Sequence, residues 1–274
     1  NRTTLQQKKG SQKLLLCQID IRVSVVPTEF GEKAVLRLLD KAQLRLDLTG
    51  LGFSTSQLAL FAERTSVANG IVLVTGQTGS GKTTTIYATL TRLKTPQVNI
   101  STVEDPIEYH LSGINQTQVK PEIGLTFSAM LRALLRQDPN IIMVGEIRDA
   151  ETLEIALRAA MTGHLVLSTI HTNSAVATIA RMLDMGAEPS LVGSALRLIV
   201  AQRLVRLNCP HCKRRQTNEA ELALLERFGH RLNGTEAESI GCDKCNQTGF
   251  AGRQALYELL PITDKVRDLI QSKA

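Results

Sequence analysis

One stretch constrains this chain more than any other: Gly76-Gln77-Thr78-Gly79-Ser80-Gly81-Lys82-Thr83, directly downstream of the apolar run Ile71-Val72-Leu73-Val74. Its spacing is G-x-x-x-x-G-K-[ST]. Glycines let the backbone curl so that several N–H groups converge, and a helix starting there adds the positive end of its dipole. An apolar strand before the loop and a helix after it form the context in which this pattern cradles phosphates. The expected helix is Thr83–Leu93. Lys82 then reaches the β- and γ-phosphates of ATP, and the Thr83 hydroxyl ligates Mg²⁺. Gly76, Gln77, Thr78, Gly79, Ser80, Gly81, Lys82, Thr83 and Thr84 are the candidate nucleotide-binding residues.

The loop sits in an alternation of short apolar strands and amphipathic helices. Strands are expected at Leu14–Val26, Ile71–Val74, Val98–Val103, Ile141–Val144 and Leu165–Ile170. Helices are expected from a Ser54/Ser56 cap to about Ala68, and over Phe127–Gln137, Ala150–Thr162, Thr178–Met185, Ser190–Leu204 and Pro261–Ser272. Glu32–Lys41 is readable as helical or extended, and Glu219–Phe228 as helix-like. Such alternation implies an α/β fold with a parallel sheet covered on both faces.

Phosphoryl transfer needs a metal holder and a group that orients the attacking water. Two acidic clusters fall at expected strand ends, Glu104-Asp105-Pro106-Ile107-Glu108 and Gly145-Glu146, where open α/β sheets bind ligands. The second resembles a Walker B strand with Gly145 where the metal-holding Asp usually stands, so Glu146 acts one residue later. His164 and His171 flank the Leu165–Ile170 strand, too far apart to share a metal. His171 is a candidate sensor of the γ-phosphate.

Composition narrows the function classes. The net charge of +6 suits nucleotides, nucleic acid or anionic surfaces without choosing among them. Aromatics are only 3% with no Trp, which argues against base-stacking platforms for single strands. No apolar run approaches the ~18 residues needed to span a bilayer. The chain opens at Asn1 without a Met, which suggests a fragment. Cys17 stands alone. Cys209-Pro210-His211-Cys212 and Cys242-Asp243-Lys244-Cys245 form two CxxC pairs 29 residues apart. Two such turns close a four-thiolate Zn²⁺ site with no open position, hence a structural one. His211 reads as a bystander.

These motifs occur together in a known order. Gly76–Thr84, Thr102–Glu108, Arg136-Gln137-Asp138-Pro139, Gly145–Asp149, Thr162-Gly163-His164 and His171-Thr172 resemble the type II secretion and type IV pilus assembly ATPases. Asp20–Ser24 and Gly31-Glu32-Lys33 extend the resemblance from about residue 18 to 270. It implies that Glu108 activates water, that Glu146 is the Walker B glutamate, and that His164 and His171 form a "His box". It implies a homo-hexamer with nucleotide at subunit junctions, where Arg22 and Arg37 reach the bound phosphate. Arg132 and Arg136, one turn apart, are further candidates. The four cysteines match the assembly and secretion branch rather than the retraction branch. Family members carry a longer N-terminal region, of which only the last part fits before Gly50.

The expected architecture is a RecA-like P-loop NTPase core at 49–205, with a remnant of an N-terminal α+β domain at 1–48. A tetracysteine module follows at 206–256 and a helical segment at 257–274. The expected function is an ATP-hydrolysing motor for pilin or pseudopilin assembly, cytoplasmic and peripheral at the inner membrane. Its implied partners are a membrane platform protein and a cytoplasmic membrane-anchor protein, with no nucleic acid. A nucleic-acid motor, or a nucleotide-binding regulator without turnover, shares the loop and stands as the alternative.

Overall fold

The computed structural model describes residues 19–40, 46–216, 227 and 236–272. Two strands, β1 (Ile19–Thr28) and β2 (Gly31–Asp40), form an antiparallel hairpin closed by Glu29 and Phe30. The extended reading of the 32–41 segment is therefore the right one. Residues 14–18 of the expected first strand lie outside the described residues. The hairpin keeps apolar side chains in solvent, with Phe30 96% and Leu38 65% exposed.

The core is a seven-stranded sheet. Its strands are β3 (Gly70–Thr75), β4 (Ile100–Glu104), β5 (Asn115–Gln118), β6 (Ile141–Val144), β7 (Leu165–Ile170), β8 (Leu196–Asn208) and β11 (Phe250–Pro261). They lie in the order β11-β8-β3-β7-β6-β4-β5. All neighbours pair in parallel except β11, which runs antiparallel to β8. The period of two splits each central strand between two cores. Ile71, Leu73, Ile142, Val144, Val166 and Ile170 face one side. There they pack on α3 (Phe127–Leu134), α4 (Ala150–Met161), α5 (Ala175–Asp184), α6 (Pro189–Ala195) and α7 (Asp264–Gln271). Val72, Val74, Ile141, Met143, Leu165 and Leu167 face α1 (Thr55–Thr65) and α2 (Lys82–Leu93). Burying each such side chain contributes about 1.5–3 kcal/mol before ordering costs.

Two expectations fail here. The segment Ser190–Leu204 is not one helix: α6 ends at Ala195, and Leu196 begins a thirteen-residue strand. Leu196 and Leu198-Ile199-Val200 are buried, and a short aliphatic run cannot distinguish a buried strand from a buried helix. Likewise α3 stops at Leu134, so Arg136 lies beyond the helix and shares no helical face with Arg132. Arg132 donates instead to Glu151 of α4 at 2.7 Å. The edge strand β5 had no sequence signal, because Asn115-Gln116-Thr117-Gln118 is polar on both faces. Of the expected 219–228 helix, only Arg227 is described, and it is helical.

β8 matches Ala201 to Thr75 and then continues from Gln202 to Asn208 beyond the end of β3. With β11 it forms a ribbon rising from the carboxyl edge of the sheet. The ribbon carries the cysteine turns and a small pair of strands, β9 (Lys213–Gln216) and β10 (Glu236–Ser239).

Candidate active site

Parallel pairing puts the carboxyl ends of β3, β7, β6 and β4 along one edge. The phosphate loop follows β3, His171 follows β7, Glu146 follows β6, and Glu104 with the Glu108 segment closes β4. Sequence-distant motifs thus converge where such sheets bind ligands.

The loop is shaped by close backbone approach. Gly76 has φ 142°, and a Cβ there would meet the Gln202 carbonyl oxygen at 2.3 Å. Gly81 has φ 89°, and its Cβ would meet Gln202 Nε2 at 2.9 Å. Only glycine fits either place without strain. Gly81 is also the N-cap of α2 and supplies no side-chain cap. By contrast Ser54, Thr126, Asp149, Ser174 and Thr263 each cap their helix with a side-chain oxygen. The first N–H groups of α2 therefore remain for an anion.

Lys82 is buried, and its Nζ donates to the Gly76 carbonyl at 2.7 Å and the Gln77 carbonyl at 3.1 Å. Burial lowers its pKa, and the nearby Glu146 carboxylate opposes that shift. The Ser80 hydroxyl is buried inside the loop with no protein partner. A buried orphan hydroxyl in a curl of backbone amides, beside a partly desolvated ammonium, fits a nucleotide phosphate. Thr83 is half-buried at the start of α2, where a metal beside that phosphate would be met.

Glu146 accepts from Arg148 and lies 3.4 Å from His171 Nε2, with 14% of its side chain exposed. Arg148 also approaches Asp105 at 3.9 Å. Gly145 precedes this glutamate, and a Cβ there would sit 3.3 Å from the Val103 carbonyl oxygen. Glu108 is half-buried in the segment after β4. His164 lies at the opposite end of β7 from His171, with its Nδ1 3.0 Å from the Ala159 carbonyl oxygen. Backbone register pairs Arg22 with Arg37 in the hairpin.

Several supporting residues carried no motif signal. Thr75, the last residue of β3, shares its hydroxyl with the Thr172 hydroxyl at 2.6 Å and accepts from the Thr172 amide at 3.0 Å. This ties the loop after β7 to the base of the phosphate loop. Buried Gln202 accepts from Thr85 of α2 at 2.8 Å and so backs the loop from β8. Sequence alone shows only ordinary polar residues at these places, because the signal is spatial.

The four cysteines come together, with their sulfurs all within 4.8 Å. Neighbouring sulfurs lie 3.8–3.9 Å apart. Tetrahedral Zn–S bonds of about 2.3 Å require about 3.8 Å between sulfurs. None is in a disulfide. Burial pushes Cys212 up, whereas the amides of Cys242 and Gly249 donate to Cys245 and overcome burial to bring it down. The site suits a closed zinc centre, and exposed His211 stands outside it. No helix among the described residues is long and apolar enough to cross a membrane.

The chain is similar to known proteins in sequence and in fold. The chain is 53% identical over 258 residues to type II secretion system protein E of Pseudomonas aeruginosa, covering 94% of this chain and 51% of that protein. It is 52% identical over 259 residues to the type IV pilus assembly ATPase PilB of Myxococcus xanthus, covering 92% and 45%. The chain thus spans about half the length of these relatives. The crystal structure of the pilus retraction motor PilT with bound ADP matches with a TM-score of 0.66 at 32% identity. That match covers 92% of this chain and 63% of the other. The model of the type II/IV secretion system protein family matches residues 7–274, and the chain belongs to that family.

Proposed function

We propose that this chain is the ATP-hydrolysing core of a motor that assembles pilin-like subunits, in type II secretion or type IV pilus biogenesis. The observation that carries the reading is the phosphate loop itself. It holds a buried, unpartnered Ser80 hydroxyl and a partly desolvated Lys82 that lies in the field of Glu146, the carboxylate that follows β6. Lys82 and the α2 amides hold the β- and γ-phosphates, and Lys82 exchanges its two loop carbonyls for phosphate oxygens. Thr83 is the residue that would hold Mg²⁺, which when bound neutralises charge on the transferring phosphoryl group. Glu108 orients and polarises the attacking water. Glu146, held by Arg148 and His171, supports the metal side of the site, and His171 senses the γ-phosphate.

In this reading Arg22 and Arg37 belong to an N-terminal remnant before about residue 48 and act across a subunit boundary. They complete the site in a homo-hexamer. The tetracysteine module, near 206–256, is a structural zinc unit. Force passes to a membrane platform protein, with a cytoplasmic anchor protein holding the motor at the inner membrane. This finer assignment draws on relatives that are themselves named for secretion and pilus assembly.

The test is phosphate release from Mg-ATP by the oligomeric full-length protein. Lys82→Ala and Glu108→Gln are each expected to lower turnover by about 100-fold or more. Wild type that binds ATP without releasing phosphate would make the protein a nucleotide-binding regulator. Release that depends on added DNA would make it a nucleic-acid motor.

A further inference from the structure

Glu104 is the one buried carboxylate among the described residues, 3% exposed at the last position of β4. Its environment is unusual for a charge. It accepts from the Tyr87 hydroxyl, from the Thr102 hydroxyl, and from Gln116 Nε2 at 3.0 Å. All three donors are neutral, and Glu104 makes no ion pair among the described residues. A buried carboxyl costs free energy unless its hydrogen bonds are met, and here three neutral donors meet them and are fixed by it in turn.

What it organises lies just ahead of it in the chain. Tyr87 sits on the phosphate-loop helix α2 and faces Tyr109, the residue that follows Glu108. Its ring meets that of Tyr109 edge-on, with centroids 6.4 Å apart. Gln116, on edge strand β5, donates from Nε2 to the Tyr109 carbonyl at 3.0 Å. Its Oε1 accepts from the Leu111 amide at 2.6 Å. Two of the three partners of Glu104 therefore reach the same short segment, Tyr87 from α2 and Gln116 from β5. Burial and the Glu104 hydrogen bond raise the Tyr87 pKa, which keeps its hydroxyl a donor at every working pH.

We propose that Tyr87, Glu104 and Gln116 are positioning residues for Glu108. Buried Glu104 orients the Tyr87 phenol and the Gln116 amide, and these two hold Tyr109–Leu111, the segment directly after Glu108, between α2 and β5. The water-orienting carboxylate is thereby indexed to the helix that begins with Lys82. This rests on the reading of Glu108 as the group that orients water. Because the three lie outside the 76–84 phosphate loop and act through the segment beside Glu108, they set kcat and leave ATP binding alone.

The experiment is steady-state phosphate release by the full-length protein carrying Tyr87→Phe, Gln116→Met or Glu108→Gln, with the Tyr87→Phe/Glu108→Gln double variant. Thermal melting and binding of a non-hydrolysable ATP analogue are measured alongside. Tyr87→Phe and Gln116→Met are each expected to lower kcat roughly tenfold or more, since small misplacements of a reacting group are costly. KM and analogue affinity stay within about twofold. In the Glu108→Gln background, Tyr87→Phe is expected to cost nothing further, because its target is gone.

Full turnover in Glu108→Gln would overturn the Glu108 reading itself. Loss of turnover in Glu108→Gln with wild-type kcat in Tyr87→Phe and Gln116→Met overturns the clamp alone. So does an additive loss in the double variant. If Tyr87→Phe melts early, Gln116→Met decides the matter, since Gln116 is half-buried on an edge strand and outside the main cores.

Discussion

Glu104 ends β4, and Glu146 follows the neighbouring parallel strand β6, whose Val144 pairs in register with Val103. They are the same amino acid on the same edge of the same sheet, yet their surroundings differ. Glu104 is sealed among neutral hydroxyl and amide donors. Glu146 keeps some exposure, pairs with Arg148 and His171, and lies within the field of Lys82. Between the two glutamates lies Gly145, where an added Cβ would sit 3.3 Å from the Val103 carbonyl oxygen, so a side chain at that position would crowd the end of β4. A carboxylate buried at 3% exposure and already holding three neutral donors has little capacity left for other partners, so it serves the scaffold. One held by Arg148 and facing the loop can trade partners as charge arrives.

The largest effect should separate the two by function. Glu146→Gln removes the anion facing the phosphate loop, and turnover should fall about 100-fold or more with the melting temperature little changed. Glu104→Leu should do the opposite first: it leaves the Tyr87 hydroxyl and the Gln116 amide short of a buried acceptor. A stability loss of about 2–4 kcal/mol is expected, read as a lower denaturant midpoint. Equal stability in wild type and Glu104→Leu would dissolve the contrast.

The four cysteines of the β8–β11 ribbon sharpen it from a third side. In the proposed zinc reading their sulfurs take a metal as partner where Glu104 takes hydroxyl and amide donors. Metal analysis should find one zinc per chain, and Cys242→Ser should lose it. Because the cysteines form their own small cluster, separate from the two sheet cores, ATP-analogue binding should survive that loss. Reduced protein with no zinc would sink the assignment.

How much of this was legible beforehand differs along the sheet. The phosphate loop, both acidic clusters and the paired CxxC turns announce themselves because their chemistry is local: glycine φ angles, a lysine at fixed spacing, thiolates in tight turns. The central strands were legible as aliphatic runs. β5 was not, since a polar edge strand needs no apolar face, and the tail of α6 merged with β8 because both are buried and aliphatic. The supports of the site were invisible for a different reason. Thr75 meets Thr172 across 97 positions, and Thr85 meets Gln202 across 117. Neither partner has meaning until the sheet order brings them together.

The smallest effect concerns protons. Burial lowers the Lys82 pKa below 10.5, and Glu146 opposes the shift. Between the lowered folded value and the unfolded one, the unfolded chain holds more protons than the folded chain. Unfolding free energy therefore rises with pH across that window, as the cost of a buried ammonium disappears. Glu146→Gln removes the opposing attraction and drives the folded value lower still, so the rise should begin at a lower pH than in wild type. Glu104 is not among the causes of the Lys82 shift, and Glu104→Gln should leave the onset where it was. Denaturant midpoints measured from neutral pH towards 10.5, each variant referred to its own neutral value, distinguish the two. Matching onsets for Glu146→Gln and Glu104→Gln would mean that Glu146 does not act on Lys82, and the electrostatic half of the comparison would fall.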